Sequence, residues 1–202
     1  NQEIEVKNLV TNESYRESYD YLVLSPGADP IQPPIPGIEA DNIYTLRNIP
    51  DTDQIKGFVD QHDPQKAVVV GGGFIGLEMA ENLHERGLDV SLVEMADQVM
   101  GSLDYEMAAQ VHNHLRSKGI DLRLSDAVTE FAEKGDQTNV ILNSGSQLEA
   151  DMVILAIGVS PNNKLAKEAG LELGETGGIK VNDNLQTTDE SIYAIGDVIE
   201  VE

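Results

Sequence analysis

Apolar residues in the middle of the chain occur in short continuous blocks that alternate with a segment of helical spacing. Residues 66–70 and 89–93 are apolar blocks of strand length, and residues 74–86 between them show the three- and four-residue spacing of a helix. The apolar stripe predicted for this helix contains Ile75, Met79, Ala80 and Leu83. The order strand, helix, strand predicts a βαβ unit and therefore a parallel sheet.

The same patterns predict the remaining elements of an α/β fold. Further strands are expected at residues 3–10, 19–25, 120–124, 127–133, 137–142, 147–150, 151–157 and 191–195, and further helices at residues 50–62, 104–118 and 163–169. The apolar stripe expected on helix 104–118 contains Met107, Ala108, Val111 and Leu115. Residues 12–18 are polar and predict a turn. Residues 127–150 have the alternation of an antiparallel meander, and residues 151–157 the unbroken apolar run of a buried parallel strand.

Charge and composition exclude several classes of function. The chain has 13 basic and 36 acidic residues, a net charge of −23, so it lacks the clustered Lys and Arg that nucleic-acid binding requires. No apolar run approaches the roughly 18 to 20 residues of a membrane span. The absence of Cys excludes a disulfide or a thiol nucleophile within this chain. The four His residues lack the i, i+4 spacing of paired ligands, so we expect surface positions and no metal site.

The junction between strand 66–70 and the following helix carries the pattern Gly-x-Gly-x-x-Gly at Gly71, Gly73 and Gly76. In a dinucleotide-binding turn the first glycine permits the tight turn, the second lets the backbone approach a pyrophosphate, and the third lets the helix pack closely on the strand. Free N–H groups at the start of the helix then favour the phosphates. The alternative is a glycine-rich turn without a ligand, but the flanking strand and helix favour the dinucleotide site.

Glu94 ends the second strand of the unit, about 20 residues after the first glycine, where the acidic residue that contacts the adenosine ribose is expected. Its carboxylate can accept hydrogen bonds from both ribose hydroxyls. A 2′-phosphate would meet like charge, which costs about 4 kcal/mol per charge pair at ~4 Å and an effective dielectric of ~20. No Arg or Lys lies between Glu94 and Asp104 to reverse this preference. The pattern favours NADH over NADPH; the alternative is a solvated Glu at the end of a strand.

Glu78 lies two residues beyond Gly76 on the predicted helix, between Leu77 and Met79. A carboxylate that is partly buried there needs a partner, and no basic residue nearby in the sequence is an obvious candidate. Glu78 therefore either faces solvent or has its partner in another domain.

Four segments resemble, in order, the motifs of the pyridine nucleotide-disulfide oxidoreductases. This family of flavoproteins with two dinucleotide-binding domains includes glutathione reductase, NADH oxidases, NADH peroxidase and coenzyme A-disulfide reductase. The segments are residues 19–28, similar to the strand and turn before the NAD domain; 71–80, similar to the NAD fingerprint; 155–162, similar to the second glycine loop; and 187–197, similar to the second FAD motif. Residues 93–100 look most like the coenzyme A-disulfide reductase and NADH oxidase branch, although Gly101-Ser102 replaces the prolines common there.

The resemblance implies a domain organisation, cofactors and site residues. Residues 1–44 would be part of an FAD domain and a linker, residues 45–162 a Rossmann-like NAD(H)-binding domain, and residues 163–202 a second part of the FAD domain. The expected cofactors are NAD(H) and, in the full-length protein, FAD. The dinucleotide would be held by Gly71, Gly73, Gly76 and Glu94; the nicotinamide end would be lined by Phe74, Ile75, Glu78 and Gly158; and Asp197 would contact FAD.

The family's amino-terminal FAD fingerprint, its redox Cys and its dimerisation domain have no counterpart here, so we expect an internal piece that is inactive alone. The full-length enzyme would be a cytoplasmic homodimer that passes hydride from NADH to flavin and on to a disulfide, oxygen or peroxide. Two alternatives remain: a ferredoxin-reductase or nitrite-reductase type of NADH flavoprotein without a redox Cys, and a non-catalytic NAD(H)-sensing module. A Cys in the upstream segment would support the disulfide reductases, and its absence would support the first alternative.

Overall fold

The computed structural model describes residues 2–201. Its strands are β1 (Glu3–Lys7), β2 (Ser14–Ser18), β3 (Leu22–Leu24), β4 (Ala28–Pro30), β5 (Ile43–Thr45), β6 (Lys66–Val70), β7 (Asp89–Val93), β8 (Asp121–Arg123), β9 (Val128–Lys134), β10 (Gln137–Leu142), β11 (Gln147–Ala150), β12 (Met152–Leu155), β13 (Val159–Pro161), β14 (Ile179–Val181), β15 (Ile192–Ala194) and β16 (Ile199–Val201). Its helices are α1 (Ile49–His62), α2 (Phe74–Glu85), α3 (Tyr105–Ser117) and α4 (Lys164–Glu168). Two compact units result: a continuous unit of residues 30–158, and a discontinuous unit of residues 2–29 with 159–201.

The continuous unit is built on a five-stranded parallel sheet in the order β5, β12, β6, β7, β8. Alternate residues of β6 point to opposite faces, so Ala67 and Val69 contribute to the core on the helical side and Val68 and Val70 to the core on the other side. Helices α1, α2 and α3 cover the first face, each through buried aliphatic residues. The sheet is therefore buried on both faces, as unbroken apolar strands require.

The second face of the parallel sheet is covered by the antiparallel strands β9, β10 and β11. Phe131, Val140 and Leu142 pack in one buried cluster with Val153 and Leu155 of β12. The unit thus has three layers: helices, parallel sheet and antiparallel sheet. This confirms the predicted α/β class with a parallel sheet and a meander.

The helices begin and end where the sequence chemistry indicates. α1 starts with a capping box, in which the Asn48 side chain accepts from the Asp51 amide and the Asp51 carboxylate accepts from the Asn48 amide, both at 3.1 Å. Gly87 and Gly119 each come two residues after the last residue of α2 and α3, and have φ values of +93° and +89°. These left-handed residues close the helices directly after their predicted ends at residues 86 and 118. No helix of residues 2–201 is long and apolar enough to cross a membrane.

The discontinuous unit contains four strand pairs and its own core. β1 pairs antiparallel with β2, β3 pairs parallel with β15, β14 pairs parallel with β16, and β4 pairs with β13. The buried residues of its hydrophobic core cluster are Ala166, Leu171, Ile179, Val181, Ile192, Ala194 and Val198. The glycine-rich stretch near residues 174–178 folds around Glu200, whose carboxylate accepts from the amides of Glu175 and Thr176 at 2.8 Å each.

Three sequence predictions about elements were wrong. Residues 14–18 form a strand and not a turn: every residue of β2 is exposed, so the strand depends on hydrogen bonds to β1 and leaves no apolar signature. The buried face of α2 is Gly76, Ala80 and Leu83, and Ile75 is 41% exposed, because the glycine and not the isoleucine packs against Gly71 and Ala156. On α3, Met107 is 58% exposed and His112, expected on the surface, is buried.

The extent of the continuous unit also differs from the expected domain at residues 45–162. The unit starts at Pro30 because β5 forms an edge strand of the parallel sheet and because Ile35 and Ile38 pack against its second face. It ends at Gly158. The assignment of the two units to NAD and FAD binding stays a prediction.

Asp151, at the turn between β11 and β12, links three parts of the continuous unit. Its carboxylate accepts from the amides of Gln65 and Lys66 at 2.7 and 2.8 Å and from the Gln137 side chain at 2.8 Å. Burial alone would raise the pKa of Asp151, but these hydrogen bonds and the charge of Lys66 bring the pKa below its usual value of 3.8.

We expect Asp151→Ala to lower the free energy of unfolding by about 1–3 kcal/mol at pH 7, because the amides of Gln65 and Lys66 lose a charged acceptor. Chemical unfolding followed by circular dichroism measures this change. Because the folded-state pKa is depressed, the contribution is present above the unfolded-state pKa and is lost as pH falls through the folded-state pKa. Asp136→Ala, at an exposed position of the neighbouring turn, is the control and should change stability little. Equal stability of both variants would contradict the role of Asp151.

Candidate dinucleotide-binding site

The turn between β6 and α2, residues 71–73, is called the glycine loop below, and its backbone requires glycine at the first position. Gly71 has φ +108°, a region that L side chains rarely adopt, and its amide donates to the Val93 carbonyl oxygen at 2.8 Å. A Cβ atom on Gly71 would lie 2.3 Å from the carbonyl oxygen of Ala156. The loop therefore lies tightly between the carboxyl ends of β7 and β12.

Gly76 and Gly73 differ in what surrounds them. A Cβ atom on Gly76 would lie 1.9 Å from the Gly71 carbonyl oxygen, so α2 packs directly on the loop backbone. A Cβ atom on Gly73 would have no heavy atom of the described residues within 4 Å, and Gly73 is exposed. Gly76 thus serves the packing of the helix, whereas Gly73 leaves open space above the loop.

The start of α2 presents amide groups to that open space. The Leu77 amide makes the first hydrogen bond of the helix, to the Gly73 carbonyl oxygen at 3.0 Å. The amides before it have no partner one turn earlier, and no side chain of the described residues forms an N-cap hydrogen bond at Gly73. Free amides and the helix dipole make this position favourable for phosphate groups.

Glu94 follows β7 and is half-buried beside the glycine loop. One carboxylate oxygen, Oε2, accepts from the Gly72 amide at 2.6 Å, and the other, Oε1, accepts from the Ala96 amide at 2.8 Å. A carboxylate offers about four lone-pair positions, so two protein donors leave capacity for two more. The geometry fits a pair of ribose hydroxyls as additional donors.

The segment between β7 and α3, residues 94–104, is called the β7 loop and is anchored to the glycine loop by the Met100 amide, which donates to the Gly72 carbonyl oxygen at 2.8 Å. It is also anchored by His112, which is 3% exposed and whose Nε2 accepts from the Val99 amide at 3.1 Å. His112 was expected at the surface and not in this role. Its spacing carried the signal, because His112 lies between Ala108 and Leu115 at i+4 and i+7 on the buried face of α3.

The residues expected at the nicotinamide end lie near the same edge of the sheet. Phe74 and Ile75 are 67% and 41% exposed at the start of α2. Glu78 is exposed, which agrees with the first of the two alternatives considered for it. Gly158 is also exposed, has φ +111°, and comes two residues after Ala156, which lies against the glycine loop.

Asp197 lies in the discontinuous unit, on the exposed segment after β15. It follows Gly196, which has φ +78°, and the turn is held by the Ile195 amide, which donates to the Leu24 carbonyl oxygen at 3.0 Å. Thr187, in the same motif, uses its hydroxyl to donate to the Ile192 carbonyl oxygen at 2.9 Å. The carboxylate of Asp197 is thus presented at the end of a parallel strand.

The chain carries three features in sequence order. They are the glycine turn, the acidic residue Glu94 after the next strand, and the carboxylate of Asp197 after a later strand. The whole sequence, residues 1–202, matches the family described as pyridine nucleotide-disulphide oxidoreductase. The chain belongs to this family.

Curated relatives include a coenzyme A disulfide reductase of Staphylococcus haemolyticus, which is 40% identical over 98% of this chain and 43% of the relative. Another is an NADH oxidase of Methanocaldococcus jannaschii, which is 43% identical over 93% of this chain and 42% of the relative. The chain thus spans about two fifths of the length of these relatives.

Solved structures of similar proteins have the same fold. Reduced CoADR-RHD of Bacillus anthracis is 57% identical with a TM-score of 0.95, over 98% of this chain and 36% of that chain. The NAD-dependent persulfide reductase of A. fulgidus is 40% identical with a TM-score of 0.93, over 98% and 36%. The water-forming NADH oxidase of Lactobacillus brevis, solved bound to NADH, is 28% identical with a TM-score of 0.92, over 98% and 43%.

The comparisons confirm the predicted family, the Rossmann-like fold and the assignment to oxidoreductases. NAD(H) and FAD are the cofactors of this family, as predicted. The roles of individual residues stay predictions.

The contrast between Gly73 and Gly76 gives a test of the site. We expect Gly73→Ala to change the free energy of unfolding by no more than about 1 kcal/mol, since φ at Gly73 is −77° and the added methyl meets open space. We expect its affinity for NADH to fall about tenfold or more, because the methyl would occupy the approach predicted for the pyrophosphate. Calorimetric titration and chemical unfolding measure the two effects.

Gly76→Ala is the matched comparison and should lower stability by about 1–3 kcal/mol or more, because its methyl overlaps the Gly71 carbonyl oxygen. Wild-type affinity for NADH in Gly73→Ala would show that the open space is not used by the dinucleotide.

Proposed function

We propose that the continuous unit binds NADH at the glycine loop, within a full-length flavoprotein that transfers hydride from NADH to FAD and on to a disulfide, oxygen or peroxide. One observation supports this most: open space lies over Gly73, and the half-buried carboxylate of Glu94 lies beside the same loop. The names of the relatives support the same chemistry, because they include coenzyme A disulfide reductases and an NADH oxidase. By the family resemblance, the full-length protein is proposed to be a cytoplasmic homodimer.

The residues of the continuous unit would hold the two halves of the dinucleotide differently. Amides at the start of α2 would bind the pyrophosphate, and the Glu94 carboxylate would accept hydrogen bonds from the adenosine ribose. Phe74, Ile75, Glu78 and Gly158 would line the nicotinamide end. When bound, the dinucleotide would supply the hydride, and these residues would hold and orient its nicotinamide ring for transfer.

In the discontinuous unit, Asp197 would contact FAD in the full-length protein. Support comes from its exposed position after a parallel strand and from the resemblance of residues 187–197 to the family's second FAD motif. The proposed role is to accept hydrogen bonds from the ribityl hydroxyls of the flavin.

The surroundings of Glu94 support a preference for NADH over NADPH. In the proposed binding mode the Glu94 carboxylate would lie beside the adenosine ribose, where it would repel a 2′-phosphate. Arg123 is next to Glu94 in the sheet, since its carbonyl oxygen accepts from the Glu94 amide at 2.8 Å, but its guanidinium is paired with Asp121, with Nε to oxygen distances of 2.9 and 3.0 Å. The Nε of Arg123 is therefore engaged with Asp121 and not with the Glu94 carboxylate.

Titration of the full-length, FAD-loaded protein with NADH and NADPH tests this proposal. We expect wild type to bind NADH at least about tenfold more tightly, a difference of roughly 1.4 kcal/mol. Glu94→Gln removes the charge and keeps the shape, so it should reduce the preference to within about threefold. Glu85→Gln, exposed at the end of α2, is the control and should keep the wild-type preference.

Two results would contradict the proposal. Absence of nicotinamide-dinucleotide binding by wild type would mean that the glycine loop is only structural. An unchanged preference in Glu94→Gln would mean that another group recognises the ribose.

A further inference from the structure

His112 is the buried imidazole of the continuous unit, and the dinucleotide site as proposed above makes no use of it. It lies on α3, where it is 3% exposed and makes an edge contact with Tyr105, with ring centroids 6.2 Å apart. Its Nε2 accepts from the Val99 amide at 3.1 Å. An imidazole that accepts at Nε2 is neutral and carries its proton on Nδ1.

The residue that His112 holds is in direct contact with the glycine loop. A Cβ atom built on Gly72 would lie 2.8 Å from Cγ1 of Val99, and Val99 itself has no exposed surface. The next residue, Met100, donates to the Gly72 carbonyl oxygen, while the Gly72 amide donates to Glu94. The peptide groups on both sides of Gly72 are therefore fixed by the β7 loop.

We propose that His112 is a positioning residue for the adenosine half of the dinucleotide: by accepting from the Val99 amide it fixes the β7 loop against Gly72 and thereby sets the position of the Glu94 carboxylate. This inference rests on the proposed function. His112 contacts the loop and not the ligand, so it acts through Val99, Gly72 and Glu94 in turn.

The contact is lost when His112 is protonated, because a protonated Nε2 donates and cannot accept from the Val99 amide. The charged groups that act on it are Arg116 on its own helix and Asp97 in the β7 loop, with the Tyr105 hydroxyl as a further titratable group on the same helix. Burial lowers the pKa of His112 below its usual value of 6.5, Arg116 lowers it further and Asp97 raises it. The neutral form is thus present at neutral pH, and acidification releases the loop.

The test uses the full-length, FAD-loaded protein and two ligands, NADH and ADP-ribose, which lacks the nicotinamide. His112→Leu removes the acceptor, whereas His112→Gln retains one in its side-chain oxygen and does not titrate. His114→Leu, at an exposed position on the same helix, is the matched control. Dissociation constants are measured by calorimetry between pH 8 and pH 5, and deuterium uptake of peptides from the β7 loop is followed by mass spectrometry.

At pH 8 we expect His112→Leu to weaken both ligands about tenfold, roughly the effect of one lost buried hydrogen bond. His112→Gln should remain within about threefold of wild type, and His114→Leu should match wild type. Deuterium uptake of the β7 loop should rise in His112→Leu alone. The affinity of wild type for ADP-ribose should fall as the pH drops below about 6.5. This fall should be absent in His112→Gln.

Several results would overturn the inference. The inference is overturned if His112→Leu binds ADP-ribose as tightly as wild type does. It is also overturned if His112→Leu and His112→Gln lose equal affinity. If His112→Leu fails to fold, the pH dependence of ADP-ribose affinity decides. A fall in affinity on acidification that is retained in His112→Gln contradicts the role of His112. Failure of wild type to bind NADH or ADP-ribose would contradict the proposed function itself, which distinguishes that failure from a failure confined to His112.

Discussion

The close approach of three backbone segments at Gly71 and Gly76 is the constraint on which the site depends. Gly71 lies against the Ala156 carbonyl oxygen, and Gly76 lies against the Gly71 carbonyl oxygen, at distances that leave no room for a Cβ atom. This contact sets where α2 begins relative to the carboxyl ends of β6 and β12. Because the helix start and the strand ends are fixed together, free amides, Glu94 and the segment at residues 156–158 lie along one edge of the sheet.

Glu94 connects the structural and the proposed functional roles of this edge. Two of its about four lone-pair positions accept from the amides of Gly72 and Ala96, and the other two are available to a ligand. A carboxylate anchored in this way loses little conformational freedom when a ribose binds, so more of the interaction energy contributes to affinity. The β7 loop, held by Met100 and His112, completes the frame around it.

The sequence predicted those parts of the fold whose residues are constrained by burial or by backbone conformation. The strands at 66–70 and 89–93 were predicted with the correct bounds because both faces of the sheet are covered, and Gly71 because its turn requires φ +108°. β2 was missed because an exposed strand has no apolar alternation and depends on its partner strand. His112 was missed because a polar residue within an apolar stripe needs a partner from a distant loop, which only the folded chain brings near.

A crystal structure of the full-length, FAD-loaded protein with bound NADH would show directly whether the dinucleotide lies at the glycine loop. We expect the pyrophosphate above Gly73 at the start of α2, and both adenosine ribose hydroxyls within hydrogen-bonding distance, about 2.5–3.0 Å, of the Glu94 carboxylate. The hydrogen bond from the Gly72 amide to Glu94 should persist in that complex. A dinucleotide bound away from the glycine loop, or a ribose that makes no hydrogen bond to Glu94, would contradict the proposed site.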